Sequence, residues 1–187
     1  MQILTQSNRS FALSIAIFLG LFANLAPATA SSHASSLKNL GMNEIMFAQG
    51  MIPHHQQAID MSNMALKNSA SAELKKLAKG IISAQQKEIS QLKYWLKATD
   101  SSITMDHDMG MNGMLSNIDL AALKKLKGSQ FNTAFLKAMI AHHQGALQMV
   151  DLLDGTKNVE AEKIASDITK GQLAEITVMK KLLVKSK

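Results

Sequence analysis

Two long stretches of the chain repeat one order of apolar and polar positions. Residues 42–67 carry Phe47, Met51, Ile52, Ala58 and Met61; residues 130–154 carry Phe135, Met139, Ile140, Ala146 and Met149, each 88 positions later. Positions three, four and seven apart share a helix face, so both stretches read as amphipathic helices. A second pair follows. Residues 71–97 place Leu74, Leu77, Ile81, Gln85, Glu88, Leu92 and Trp95 at spacings of three and four, a helical stripe with two polar residues at its middle. Residues 158–184 match it 87 positions on, through Ile168, Gln172, Glu175, Ile176 and Met179. The step from 88 to 87 removes one residue from the second connection, where loops tolerate it.

The pattern therefore predicts an all-α fold, a four-helix bundle built from a duplicated helical hairpin. One hairpin cannot bury its own stripes, and two packed together can. Asn39 or Asn43 is expected near the start of the first helix, Ser129 at the start of the third, and Gly155 as its stop. Pro53 is expected to kink the first helix or free the carbonyl of Gln49. Residues 117–126 read as a short linker helix. The bundle would occupy 41–187, with 99–116 as a Met- and His-rich crossover loop.

Residues 1–30 stand apart from this pattern. Arg9 precedes the apolar run from Phe11 to Ala23, and Ala28-Thr29-Ala30 ends it. That arrangement reads as a secretory signal peptide cut after Ala30, so a periplasmic or secreted location is expected, with no membrane anchor after cleavage. Residues 31–40 are Ser-rich and read as a flexible segment. The chain has 187 residues, a formal charge of +6, 13 Met and no Cys. Arg9 is the only arginine, and the lysines are spread along the helices as a solvated face would be. Nucleic-acid surfaces combine clustered Arg and Lys with aromatics; aromatics are 4% here. All the sulfur is thioether, which forms no disulfide and needs no deprotonation to bind a metal, a suitable choice for an oxidising compartment.

The repeated helices carry the candidate chemistry. Each holds a His-His-Gln triplet: His54, His55 and Gln56, then His142, His143 and Gln144. On a helix, Met51, His54 and Met61 share one stripe, and Met139, His142 and Met149 share its twin; His55 and His143 sit beside them. Met is ordinary core filler, and a lone buried His is usually satisfied by a neighbour. Four His at equivalent core positions are costly on packing grounds alone. Thioether and imidazole together suit soft ions. Glu88 and Glu175 on the partner helices are placed to orient the rings. The stripe favours His54 and His142 as the inward members. In the loop, Met105, His107, Met109, Met111 and Met114 alternate with Asp106 and Asp108, so that a flexible chain could wrap several sulfurs around a low-coordinate ion such as Cu(I) or Ag(I).

Other chemistries lack support. Zinc prefers thiolate, imidazole and carboxylate. A di-iron carboxylate site needs Glu-x-x-His on two helices, and no Glu-x-x-His occurs. A nucleophile elbow and a phosphate-binding glycine loop are absent too.

The paired H-H-Q-x-A motifs, over about 42–184, resemble a family of small secreted bundle proteins long catalogued as a domain of unknown function and grouped with ferritin-like folds. The Met-rich loop and signal peptide are similar to its periplasmic copper-binding members, which are linked to copper resistance. The resemblance implies copper binding with Cu(I) favoured and no catalysis. It implicates Met51, His54, His55, Met61, Met139, His142, His143 and Met149. Copper ions are the expected partner, with a copper exporter or metallochaperone beyond them. A cuprous oxidase and a purely structural bundle remain as alternatives.

Overall fold

A computed structural model of the chain describes residue 37 and residues 39–104 and 112–185. Residues 1–30, where a signal peptide is expected, and most of the Ser-rich segment lie outside them. The described chain is helical: α1 (Met42–Asn68), α2 (Ala72–Ala98), α3 (Asn117–Lys125), α4 (Gly128–Val150) and α5 (Val159–Lys185), with a 3-10 turn at Asp151–Leu153. No described helix is long and apolar enough to cross a membrane.

Each boundary has a local cause. Ser71 accepts the amide of Leu74 at the start of α2, and Ser116 accepts that of Asp119 at the start of α3. The first helix starts between Asn39 and Asn43, as expected, and is capped at Gly41, whose amide Glu44 reaches back to accept at 2.9 Å. Helix α4 begins two residues earlier than expected, at Gly128 (φ +56), and Lys127, not Ser129, holds its cap position without a side-chain bond. It ends in the 3-10 turn before Gly155 (φ +73), a left-handed stop that suits glycine. Pro53 sits on the exposed side of α1, and the helix runs through it unbroken.

The hairpins α1–α2 and α4–α5 are the closest pairings, and they meet mainly through α1 against α4. Two apolar cores result. One gathers Leu40, Phe47, Met51, Leu92, Trp95, Leu153 and Ile164; the other gathers Met61, Leu74, Ile81, Phe131, Phe135, Met139 and Met179. Cluster membership fixes the directions: α1 and α5 run from the first core to the second, and α2 and α4 run back. The four histidines and the glutamines Gln85 and Gln172, all buried, belong to neither core. They form a polar layer across the middle of the bundle.

Lysines that look dispersed along the sequence collect in space. The end beside the second core carries Lys67, Lys75, Lys76, Lys124, Lys125 and Lys185, with Glu73 and Asp119 as nearby acids. The opposite end carries Glu44, Asp100, Asp151, Asp154, Glu160 and Glu162, with Lys93, Lys97, Lys157 and Lys163 as nearby lysines. The solvated-face reading holds for exposure but not for distribution.

Candidate metal centre

The repeat brings its two histidine pairs together because α1 and α4 run antiparallel through the middle of the bundle. His54 and His142 meet ring against ring, with centroids 3.9 Å apart and planes inclined at 40°. The neighbouring residue on each helix turns outward across its own hairpin. His143 Nε2 lies 2.7 Å from Glu175 Oε2 in a hydrogen bond, and His55 Nε2 lies 2.8 Å from Glu88 Oε2, close but poorly aligned for one. All four imidazoles are buried. Both carboxylates remain partly open to solvent.

These partners settle which ring nitrogen is free. A carboxylate or carbonyl oxygen only accepts, so the nitrogen facing it carries the proton. His143 therefore holds its proton on Nε2, and the Glu88 contact favours the same form for His55. His54 Nε2 donates to the carbonyl of Asn112 at 3.1 Å. Among the described residues, Nδ1 of these three rings is buried without a partner, and in His142 neither nitrogen has a hydrogen-bond partner. Both amide atoms of Gln85 and the oxygen of Gln172 are likewise buried and unpaired. A buried unpaired polar group costs about 1–3 kcal/mol. The layer thus concentrates uncompensated lone pairs where a bundle normally puts Leu.

Burial holds the central pair neutral. It lowers the pKa of His54 to about 4, against a smaller opposing effect from the Asn112 carbonyl; the charges of His55 and His143 lower it further. His142 falls to about 2, again chiefly by burial, then through His54, His143 and His55. A neutral imidazole is the form that binds metal.

Sulfur stands on both sides of the layer. Met51 is fully buried in the first core, against which the half-buried Met149 packs; Met61 and Met139 are fully buried in the second. Each side thus receives one thioether from each repeat, whereas the two Met of a single helix point to opposite cores. Among the described residues, no three His, Asp or Glu side chains are grouped to hold a metal ion.

The crossover loop is tied to α1 at both ends. The Gln49 side-chain amide donates to the carbonyls of Ser102 (2.9 Å) and Thr104 (3.5 Å). Beyond the loop, Gln57 exchanges two bonds with the Leu115 backbone, at 2.7 and 2.9 Å. Met105, His107, Met109 and Met111 lie outside the described residues; Met114 is described and half-buried. Sequence reasoning passed over Gln57, Asn112, Gly145 and Gln148. A signal was available: the repeats differ at 57/145, Gln against Gly, and at 60/148, Asp against Gln.

Similarity to known proteins agrees with this architecture. CopM in its Cu(II)-bound form is 35% identical, with a TM-score of 0.67 over 77% of this chain and 97% of that one. A DUF305 fragment from Deinococcus radiodurans is 31% identical, with a TM-score of 0.72 over 78% and 97%. A DUF305 protein from Streptomyces coelicolor, thought to be secreted, is 28% identical, with a TM-score of 0.73 over 77% and 92%. CopM has also been solved with Cu(I) and with silver. A stretch of 51 residues is 37% identical to the uncharacterized protein L153 of Acanthamoeba polyphaga mimivirus, covering 27% of this chain and 34% of that protein. Residues 44–183 match the domain of unknown function DUF305. With the duplicated His-His-Gln hairpins and these structural relatives, the chain belongs to the DUF305 family and is a CopM-like member of it.

Proposed function

We propose that this chain is an exported copper-binding protein, periplasmic or secreted, that sequesters or hands on Cu(I) and contributes to copper resistance. Ag(I) would bind through the same atoms. The observation that carries the reading is the polar layer: buried imidazoles whose nitrogens lack partners among the described residues, the central pair held neutral, flanked on both sides by thioethers. Such a donor set matches a soft d10 cation of low charge better than Zn(II) or Mg(II). The CopM structures with copper and silver support the class of ion. His54 and His142 would supply nitrogen, with His55 and His143 beside them. Met51, Met61, Met139 and Met149 would supply sulfur. Met105, His107, Met109, Met111 and Met114 would capture ions or pass them to an exporter or metallochaperone. The role is binding rather than catalysis.

The test is a Cu(I) titration in competition with a chromogenic chelator, with X-ray absorption to count sulfur and nitrogen neighbours. The expected result is mixed sulfur–nitrogen coordination that loses nitrogen when His54 and His142 are replaced by Ala. Copper held equally tightly after replacement of all four motif histidines would remove the core site from consideration.

A further inference from the structure

Among the positions where the two repeats differ are those where something single fits between them. That single element is the segment Asn112–Leu115, the return end of the crossover loop. It lies across both His-His-Gln helices and is built into each. On the α1 side, Gln57 grips Leu115 by its amide and carbonyl together, and His54 Nε2 donates to Asn112. On the α4 side, Gln148 Oε1 accepts from the Asn112 side chain at 2.8 Å.

Two glycines make the approach possible. Gly113 has φ +82, and a Cβ there would stand 2.5 Å from the Ala141 carbonyl oxygen and 3.0 Å from His142 Cα. A Cβ on Gly145 would stand 1.9 Å from the Asn112 carbonyl oxygen and 2.5 Å from its carbon. Those are backbone atoms, so no side-chain rotation relieves the clash. The oxygen that Gly145 admits is the one that receives the His54 proton. Position 145 is the repeat equivalent of Gln57. One copy has the residue that grips the segment, and the other has the residue that makes room for it.

We propose that Asn112–Leu115 is a positioning strap for the histidine pair: seated by Gly145 and Gln57, its Asn112 carbonyl fixes the His54 tautomer and reserves Nδ1 as the metal donor. This rests on the copper reading for its purpose but not for its geometry. Without the strap, the proton of His54 is free to sit on either nitrogen, and the ring loses its only hydrogen-bonded anchor among the described residues. Groups that orient a metal-binding His typically contribute 10–100-fold in affinity.

The experiment uses the metal-free chain first. Long-range nitrogen–proton NMR of the imidazoles reports the tautomer directly, a readout that general destabilisation would not move in a folded protein. The parent should show His54 protonated on Nε2. In Gly145→Ala, which unseats the strap by bulk, the signal should shift toward a tautomer mixture while helical circular dichroism persists. Gln57→Leu removes the grip without adding bulk and should act the same way, which keeps the test available if Gly145→Ala fails to fold. Cu(I) affinity should then fall by about tenfold or more in either variant. A parent His54 protonated on Nδ1 would overturn the proposal. So would a tautomer unchanged in both variants, or a changed tautomer with unchanged Cu(I) affinity. A parent that carries the Nε2 proton but ignores copper would sink the copper reading and the donor role of Nδ1, leaving the strap's hold on the tautomer intact.

Discussion

His54 and His142 stack at a centroid distance of 3.9 Å inside the bundle, and burial keeps both uncharged far below the pH at which a free imidazole titrates. Their native pKa values lie below the ordinary 6.5, so between about pH 6.5 and 4 the unfolded chain binds protons that the folded chain refuses. Stability should be level above pH 6.5 and fall as the solution is acidified through that window. At 1.36 kcal/mol per pKa unit, each ring should lose about 2–3 kcal/mol by pH 4.5, so the pair should lose on the order of 5 kcal/mol. Urea melts at pH 7.5, 5.5 and 4.5 would measure it, and His142→Gln should flatten the slope. A midpoint independent of pH would contradict a neutral buried pair.

Sulfur can be removed here with little change in packing. Met51 and Met139 are fully buried, one in each core, and Met→Leu conserves volume, costing less than about 1.5 kcal/mol. The double replacement should melt within several degrees of the parent yet hold Cu(I) at least tenfold more weakly. Calorimetry and chelator competition on the same sample separate the two effects.

Glu175 bonds His143 from the facing helix at 2.7 Å. Glu175→Gln keeps the shape but removes the charge that makes the ring a better donor. Its Cu(I) affinity should drop by about 10–100-fold, with circular dichroism unchanged. An affinity equal to the parent's would exclude His143 as a ligand.

Glu44 joins distant parts of the chain. Its carboxylate takes the Gly41 amide at 2.9 Å and the Thr156 hydroxyl at 2.5 Å, linking the start of α1 to the α4–α5 connection. Glu44→Ala leaves both donors without this partner and should cost about 1–3 kcal/mol. Copper binding should be unaffected, because the bond lies at the end of the bundle. Denaturant melts and the chelator assay would show whether the loss is confined to stability.

The helices and the histidine layer could be read from the chain because each leaves a periodic trace. Phe47, Met51 and Met61 recur as Phe135, Met139 and Met149, and tertiary packing kept that period. What periodicity does not record is which single copy of a segment lies against a repeated surface. Gly145 leaves no periodic trace; its meaning is a distance to Asn112 that only the folded chain creates. The cap of α4 was misplaced for a related reason: Ser129 lies inside the helix, which starts at Gly128. At α1 the boundary falls beside the asparagines, and Glu44, one turn inside, fixes it at Gly41. The inward role expected for His54 and His142 corresponds to their ring contact. The burial of His55 and His143 depends on carboxylates supplied by other helices.

The uneven placement of lysine and carboxylate gives the rod an electrical front and back. An ion of positive charge drifting toward it is turned away from one tip and drawn to the other, so its arrival is not random in direction. That bias works over roughly the 8–10 Å reach of the field at physiological salt. It would fade in brine, leaving the grip of the interior unchanged while slowing the catch.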